Sequence, residues 1–144
     1  GDLSSGGLQS AINMMPLIRQ LFENSVADWK DDESVSGQIA EIEAQTQACR
    51  QLVYHTAFMR DAGLNHGHES CCAKIVATEN AINATRVAMD IMGVNGIRKA
   101  DPSTPQGIME KLYRDARILS IYEGTNQVQR LVVTNGLFPK KKKK

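Results

Sequence analysis

The sequence predicts an all-α fold, an antiparallel up-and-down bundle of four to five helices. Apolar residues recur at three- and four-residue steps through most of the chain. Strand signals are nearly absent: the one β-branched cluster, "LVV" at 131–133, lies inside a helical period, and no Asn-Gly or Asp-Gly pair separates alternating runs. Connections between the amphipathic segments are short or of medium length, which suits antiparallel neighbours. With 144 residues the chain is long enough for one sizeable core. Residues 1–139 are read as a single domain, and 140–144 as a solvated or artefactual lysine tail outside the fold.

The first predicted helix runs from about Leu8 to Trp29, carried by Leu8, Ile12, Met15, Ile18, Leu21, Phe22 and Val26. Pro16 inside it removes a backbone hydrogen bond and crowds the preceding turn, so a kink near Asn13 or a later start is expected. After "DDESVSG", with Ser34 as the expected cap and Gln38 close to reciprocal capping distance, a long second helix follows. Its apolar stripe is Val35, Ile39, Ile42, Cys49, Leu52, Val53, Thr56 and Phe58, and Gly63 is placed to terminate it. The third helix spans roughly Glu69 to Met92. Ile75, Val76, Ile82, Val87, Ile91 and Met92 are its expected buried face, Ala77, Ala81, Ala84 and Ala88 allow close helix approach, and Gly93 and Gly96 end it. A proline-bearing loop leads to a fourth helix from about Gln106 to Leu119, and a fifth runs from about Thr125 to Asn135.

The formal charge of +1 comes from the tail. Without Lys140 to Lys144 there are 12 basic against 16 acidic residues, a net of −4. A mildly acidic body offers no electrostatic footprint for nucleic acid. The three cysteines, Cys49, Cys71 and Cys72, are odd in number and two are adjacent, which argues against a disulfide framework and for a reducing, intracellular compartment, cytoplasm or mitochondrial matrix. No apolar run approaches the length of a membrane span, and the N-terminus lacks a secretion pattern.

The helical pattern breaks once where chemistry is at hand, in "RILSIYEGTNQ". Glu123 follows Ile118, Leu119 and Ile121, and it precedes Gly124 and Thr125, a cap for the next helix. A carboxylate in a partly apolar setting can serve as a general base, and an adjacent free N–H can hold a carbonyl oxygen that gains charge. The alternative reading of the same residues is a surface acid near a helix N-terminus, favoured there by the helix dipole.

The run "RDARILSIYEGTNQVQRL" resembles the C-terminal signature of the acyl-CoA dehydrogenase family. "CAKIVATENAINATRVAMDIMGVNG" resembles the family's preceding helix, with a lysine near its start and a glycine-rich end, and "ACRQLVYHTA" the one before that. The resemblance covers about Ala40 to Leu137. It implies that Glu123 removes the α-proton of an acyl-CoA thioester while the β-hydrogen leaves as hydride to the flavin of FAD. It also implies that the Glu123 N–H, with a flavin ribityl hydroxyl, holds the thioester carbonyl, and that Gly124 lies against substrate. Thr125, Asn126 and Gln127 would touch FAD, and Ile91, Met92 and Gly93 would meet the FAD of a neighbouring subunit in a homo- or hetero-dimer or tetramer. The implied electron partner is an electron-transfer flavoprotein.

The chain departs from the family pattern at Asp90, where glutamine is usual, and at Val94, where a second glycine is usual. The Arg-x-x-Phe-Gly motif expected between the first two helices is not recognisable in "FENSVADWKDDESVSG". The family's N-terminal helical domain and middle β-domain do not fit in this length, so the chain is read as the C-terminal domain of a longer enzyme or as a small subunit. It is not expected to turn over alone. An acyl-CoA oxidase and a catalytically inert helical interaction domain are the alternatives.

Other clusters carry less. His66, His68, Cys71 and Cys72 span a loop and a helix start, a poor arrangement for one metal ion. His55 reads as a packed or interfacial residue, Cys49 as core, and Trp29 and Tyr54 as packing or subunit anchors.

Overall fold

A computed structural model of the chain describes residues 16–20, 23, 31–97, 101 and 103–138, and these contain helices and connections but no strand. The first long element, α1 (Glu33–Asp61), starts at Asp32, whose carboxylate accepts from the N–H of Ser34 at 2.9 Å and of Val35 at 3.2 Å. The expected cap, Ser34, is thus already inside the helix. An ionised acid is the stronger acceptor for orphan N–H groups, and Asp32 sits where the backbone is still extended. Gln38 does reach back, donating to the Ser34 carbonyl at 3.3 Å. Gly63, at φ 69°, closes the helix as expected, its N–H bonded to the Arg60 carbonyl at 3.0 Å.

The inward residues of α1 are Val35, Ile39, Ile42, Thr46, Cys49, Val53 and Thr56, spaced alternately by four and three. That spacing is the seam of two helices packed at a shallow angle. Thr46 and Thr56 are tolerated there because their hydroxyls donate to the carbonyls of Ile42 and Leu52 at 2.7 and 2.8 Å. Phe58 lies more than half a turn from Thr56 around the helix and is 65% exposed, so it is not part of the stripe.

The central helix is α2 (Gly67–Met92), which touches each of the other helices between residues 33 and 137. Its buried register, Ser70, Lys74, Ala77, Ala81, Ala84 and Ala88, repeats the same four-three spacing. The expectation that large aliphatics form the buried face is corrected here. The alanines, with Thr78 and Thr85, are buried, Ile75, Ile82, Val87, Ile91 and Met92 are half-buried on the flanks, and Val76 is exposed. Small side chains let the α1 and α2 backbones approach, which displaces larger groups to either side. Cys49 packs with Ala77 and Ala81, and Ile42 with Ala84, Ala88 and Met89, so the two helices are antiparallel. Gly93, at φ 56°, ends α2. Gly96 does not; it is buried in the single turn α3 (Val94–Ile97), where a Cβ would lie 3.0 Å from both the Met89 carbonyl oxygen and the Met92 Cβ.

Thr104 caps α4 (Pro105–Asp115), accepting from the Gly107 N–H at 3.2 Å with Pro105 at the first helical position. The helix does not reach Leu119 as expected. It tightens into a 3₁₀ helix at Ala116–Ser120, turning Ala116 and Leu119 inward and leaving Ile118 exposed. After the interruption comes α5 (Asn126–Leu137), capped by Thr125, whose hydroxyl accepts from Val128 N–H at 3.3 Å. Met109 packs with Ala88 and Met89, Leu119 with Ala77 and Ala81, Asn126 bonds to Lys74 and Thr78, and Gly136 lies against His68. The last two predicted helices therefore form one interrupted rod running antiparallel to α2. Residues 16–20 are helical and bring the fully buried Ile18 onto Ile42. The expected kink near Asn13 and the anchor Trp29 lie outside the described residues. Among those described, no helix is long and apolar enough to cross a membrane.

Candidate functional site

The candidate site is the interruption between α4 and α5. Two successive residues there have positive φ, Glu123 at 56° and Gly124 at 92°, and Glu123 is the one non-glycine residue of this kind among those described. The Glu123 carbonyl accepts from the Gln129 side-chain amide at 3.4 Å, which folds the first turn of α5 back over the break. Glu123, Gly124 and Gln127 are exposed, and Thr125 is half-buried. Of the apolar residues that precede Glu123, Leu119 turns inward at 3% exposure, while Ile118 and Ile121 are 53% and 57% exposed. The 3₁₀ geometry turns Leu119 inward and Ile118 outward.

Asn126 faces the opposite way, 2% exposed and fully engaged by α2. Its carbonyl oxygen accepts from the Lys74 ammonium at 2.7 Å, and its NH₂ donates to the Thr78 hydroxyl at 3.0 Å and to Glu79 at 3.3 Å. Arg130, one turn along α5, pairs with the same Glu79. Burial pushes the Lys74 ammonium below the usual lysine range, and the carboxylates of Glu123 and Glu79 oppose that shift. Sequence reasoning noticed this lysine but assigned it no part. The signal was available: Lys74 occupies the register of Ala77, Ala81, Ala84 and Ala88, where a charge needs a partner.

The structure brings Glu123 to Gln127 together but not with Ile91, Met92 and Gly93. The latter lie at the far end of α2, roughly 20 Å from Thr78 along the helix axis. Ile91 and Met92 pack half-buried against the core, and Gly93 is exposed. Asp90 is ion-paired to Arg86 at 3.1 Å, so its charge is balanced within the helix. His66 precedes α2 with its Nδ1 2.9 Å from the Ser70 hydroxyl, Cys71 is buried, and His55 and Tyr54 are exposed. Among the described residues no three metal-capable side chains converge.

Residues 6–138 match the family model described as acyl-CoA dehydrogenase, C-terminal domain. The chain belongs to the acyl-CoA dehydrogenase family. Its relatives include an acyl-CoA dehydrogenase of Bacillus subtilis, 38% identical over 106 residues, which are 74% of this chain and 26% of that protein. A caffeyl-CoA reductase–Etf complex subunit of Acetobacterium woodii is 31% identical over 138 residues, 96% of this chain and 34% of that one. Among solved structures, butyryl-CoA dehydrogenase from Megasphaera elsdenii superposes with a TM-score of 0.79 at 28% identity, covering 92% of this chain and 35% of the other. The chain thus spans about a quarter to a third of the length of the acyl-CoA dehydrogenase relatives it matches.

Proposed function

We propose that this chain is the base-bearing C-terminal domain of an FAD-dependent enzyme acting on acyl-CoA thioesters, with Glu123 removing the substrate α-proton. The observation that carries the reading is the turn itself: an exposed carboxylate on a left-handed residue, bracketed by the buried Leu119 and Asn126 and followed two residues later by the cap of α5. A general base must reach its proton without first being reordered, and a residue held between two buried anchors is placed in advance. The Glu123 N–H serves the thioester carbonyl oxygen as it gains charge, and Gly124, with no side chain, leaves room for substrate beside the backbone.

The residues of this end suit FAD. A helix N-terminus offers N–H groups that have no intrahelical partner, and Thr125 and the exposed Gln127 add polar side chains beside them. Asn126, whose side chain is committed inward, offers only its backbone there. When bound, FAD supplies the acceptor that takes the β-hydrogen as hydride. Ile91, Met92 and Gly93, being at the other end of α2, serve a second site, that of a neighbouring subunit, and the Arg86 partner of Asp90 keeps an acid there compatible with a phosphate-bearing group. The rest of the active site comes from domains or subunits outside these 144 residues. The Acetobacterium woodii relative, named as part of an Etf complex, supports an electron-transfer flavoprotein as the redox partner. That relative is named a reductase, and the proton transfer at Glu123 can run in either direction according to the electron partner.

The test is Glu123→Gln in the complete enzyme, which keeps the shape and removes the base. Exchange of the substrate α-hydrogen with D₂O and bleaching of the flavin by substrate should both fall by about 10³-fold, with FAD still bound. Rates near those of the unaltered enzyme would remove Glu123 from the mechanism.

A further inference from the structure

We infer that Lys74 and Asn126 form a buried clasp that positions Glu123, which makes Lys74 a positioning residue for the proton transfer. The inference rests on the reading of Glu123 as the base. The Thr78 hydroxyl has one proton, which goes to the Lys74 carbonyl at 2.8 Å, so towards Asn126 it acts as acceptor. That orients the Asn126 amide with its NH₂ on Thr78 and its oxygen on the Lys74 ammonium at 2.7 Å. Lys74, Thr78 and Asn126 are 7%, 1% and 2% exposed.

Stability alone does not account for an ammonium in an alanine stripe, because an apolar residue of similar volume avoids the desolvation cost of a buried charge. Location does. The clasp lies where the third rod is interrupted, three residues beyond Glu123, and joins that turn to the central helix across 52 positions of sequence. Glu123 and Gly124 hold left-handed conformations that Glu does not favour by itself, so something outside the turn must hold them. Leu119 anchors the upstream side in the core, and the clasp anchors the downstream side. Loss of Lys74 strands the Asn126 carbonyl oxygen in a buried position, frees the start of α5, and lets Glu123 leave its reactive placement.

The experiment uses the complete enzyme with FAD bound and compares Lys74→Met, Thr78→Val and Glu123→Gln. Read out are the α-hydrogen exchange of a saturated acyl-CoA into D₂O, per bound flavin and at saturating thioester, the KM for that thioester, and flavin occupancy from absorbance. A displaced base should cost Lys74→Met about 30- to 100-fold in the saturated rate and Thr78→Val several-fold, with KM little changed. A merely structural role lowers flavin occupancy and leaves the rate per bound flavin untouched, and that result overturns the clasp. If Lys74→Met does not retain flavin, the near-isosteric Thr78→Val decides: an unaltered saturated rate overturns the inference and a several-fold loss supports it. Persistent exchange in Glu123→Gln sinks the underlying assignment of the base, whereas a dead Glu123→Gln beside unaffected Lys74 and Thr78 variants sinks the clasp alone.

Discussion

Glu123 occupies a backbone conformation, φ 56°, that disfavours a residue with an ordinary Cβ by about 1–2 kcal/mol. Asparagine tolerates that region better, since its short polar side chain can bond locally. Glu123→Asn is therefore expected to raise the stability of the folded protein by about 0.5 kcal/mol while abolishing proton removal. The shift of the urea midpoint checks it; a clear loss of stability would mean that interactions of the Glu123 side chain outweigh the cost of its backbone. The acid and its cap were legible in the sequence because both interrupt a periodic pattern, Glu123 as a charge after apolar residues and Thr125 as a cap before a helix. The inward turn of Asn126 was not, because nothing local distinguishes a helix-start asparagine that faces a cofactor from one that faces a lysine 52 positions away.

Element boundaries follow the local sequence where one side chain decides them and depart from it where two caps compete or where packing intervenes. Thr125 caps α5 and Gly63 closes α1 as expected. At the start of α1 both Asp32 and Ser34 are competent, and Asp32 takes both N–H groups. Asp32→Ala should then cost about 1 kcal/mol, and Ser34→Ala less than about 0.5 kcal/mol, in thermal or denaturant unfolding. The reverse order would return the cap to Ser34. The 3₁₀ helix at Ala116–Ser120 had no sequence signal, since residues 106–119 keep a helical period throughout. Packing selects it: tightening the turn puts Ala116 and Leu119 into the cluster with Cys49, Ala77 and Ala81.

For the whole molecule, the close approach of α1 and α2 is the feature on which the other contacts depend. Ala81 is fully buried and faces Cys49, so Ala81→Leu inserts methylenes where the backbones are nearest. A loss of about 1–3 kcal/mol is expected, read as a lowered melting temperature of the 144-residue chain. An unchanged melting temperature would mean that the alanine stripe is not a tight interface. The length of α2 also sets the functional layout, because it holds the Glu123 turn near one end and Ile91 to Gly93 at the other. On the function proposed above, one subunit offers parts of two separate sites.

The all-α class, most helix positions, the family and the acid at the break are legible without coordinates, since all of these follow from periodicity, capping chemistry and a contiguous signature. It takes the packed molecule to show that α4 and α5 are one rod rather than two reversing helices, that small residues rather than large aliphatics fill the centre, and that Lys74 and Asn126 meet. Those outcomes depend on how near two backbones can come and on which distant group satisfies a buried polar atom. Neither quantity is encoded in any local stretch of the chain.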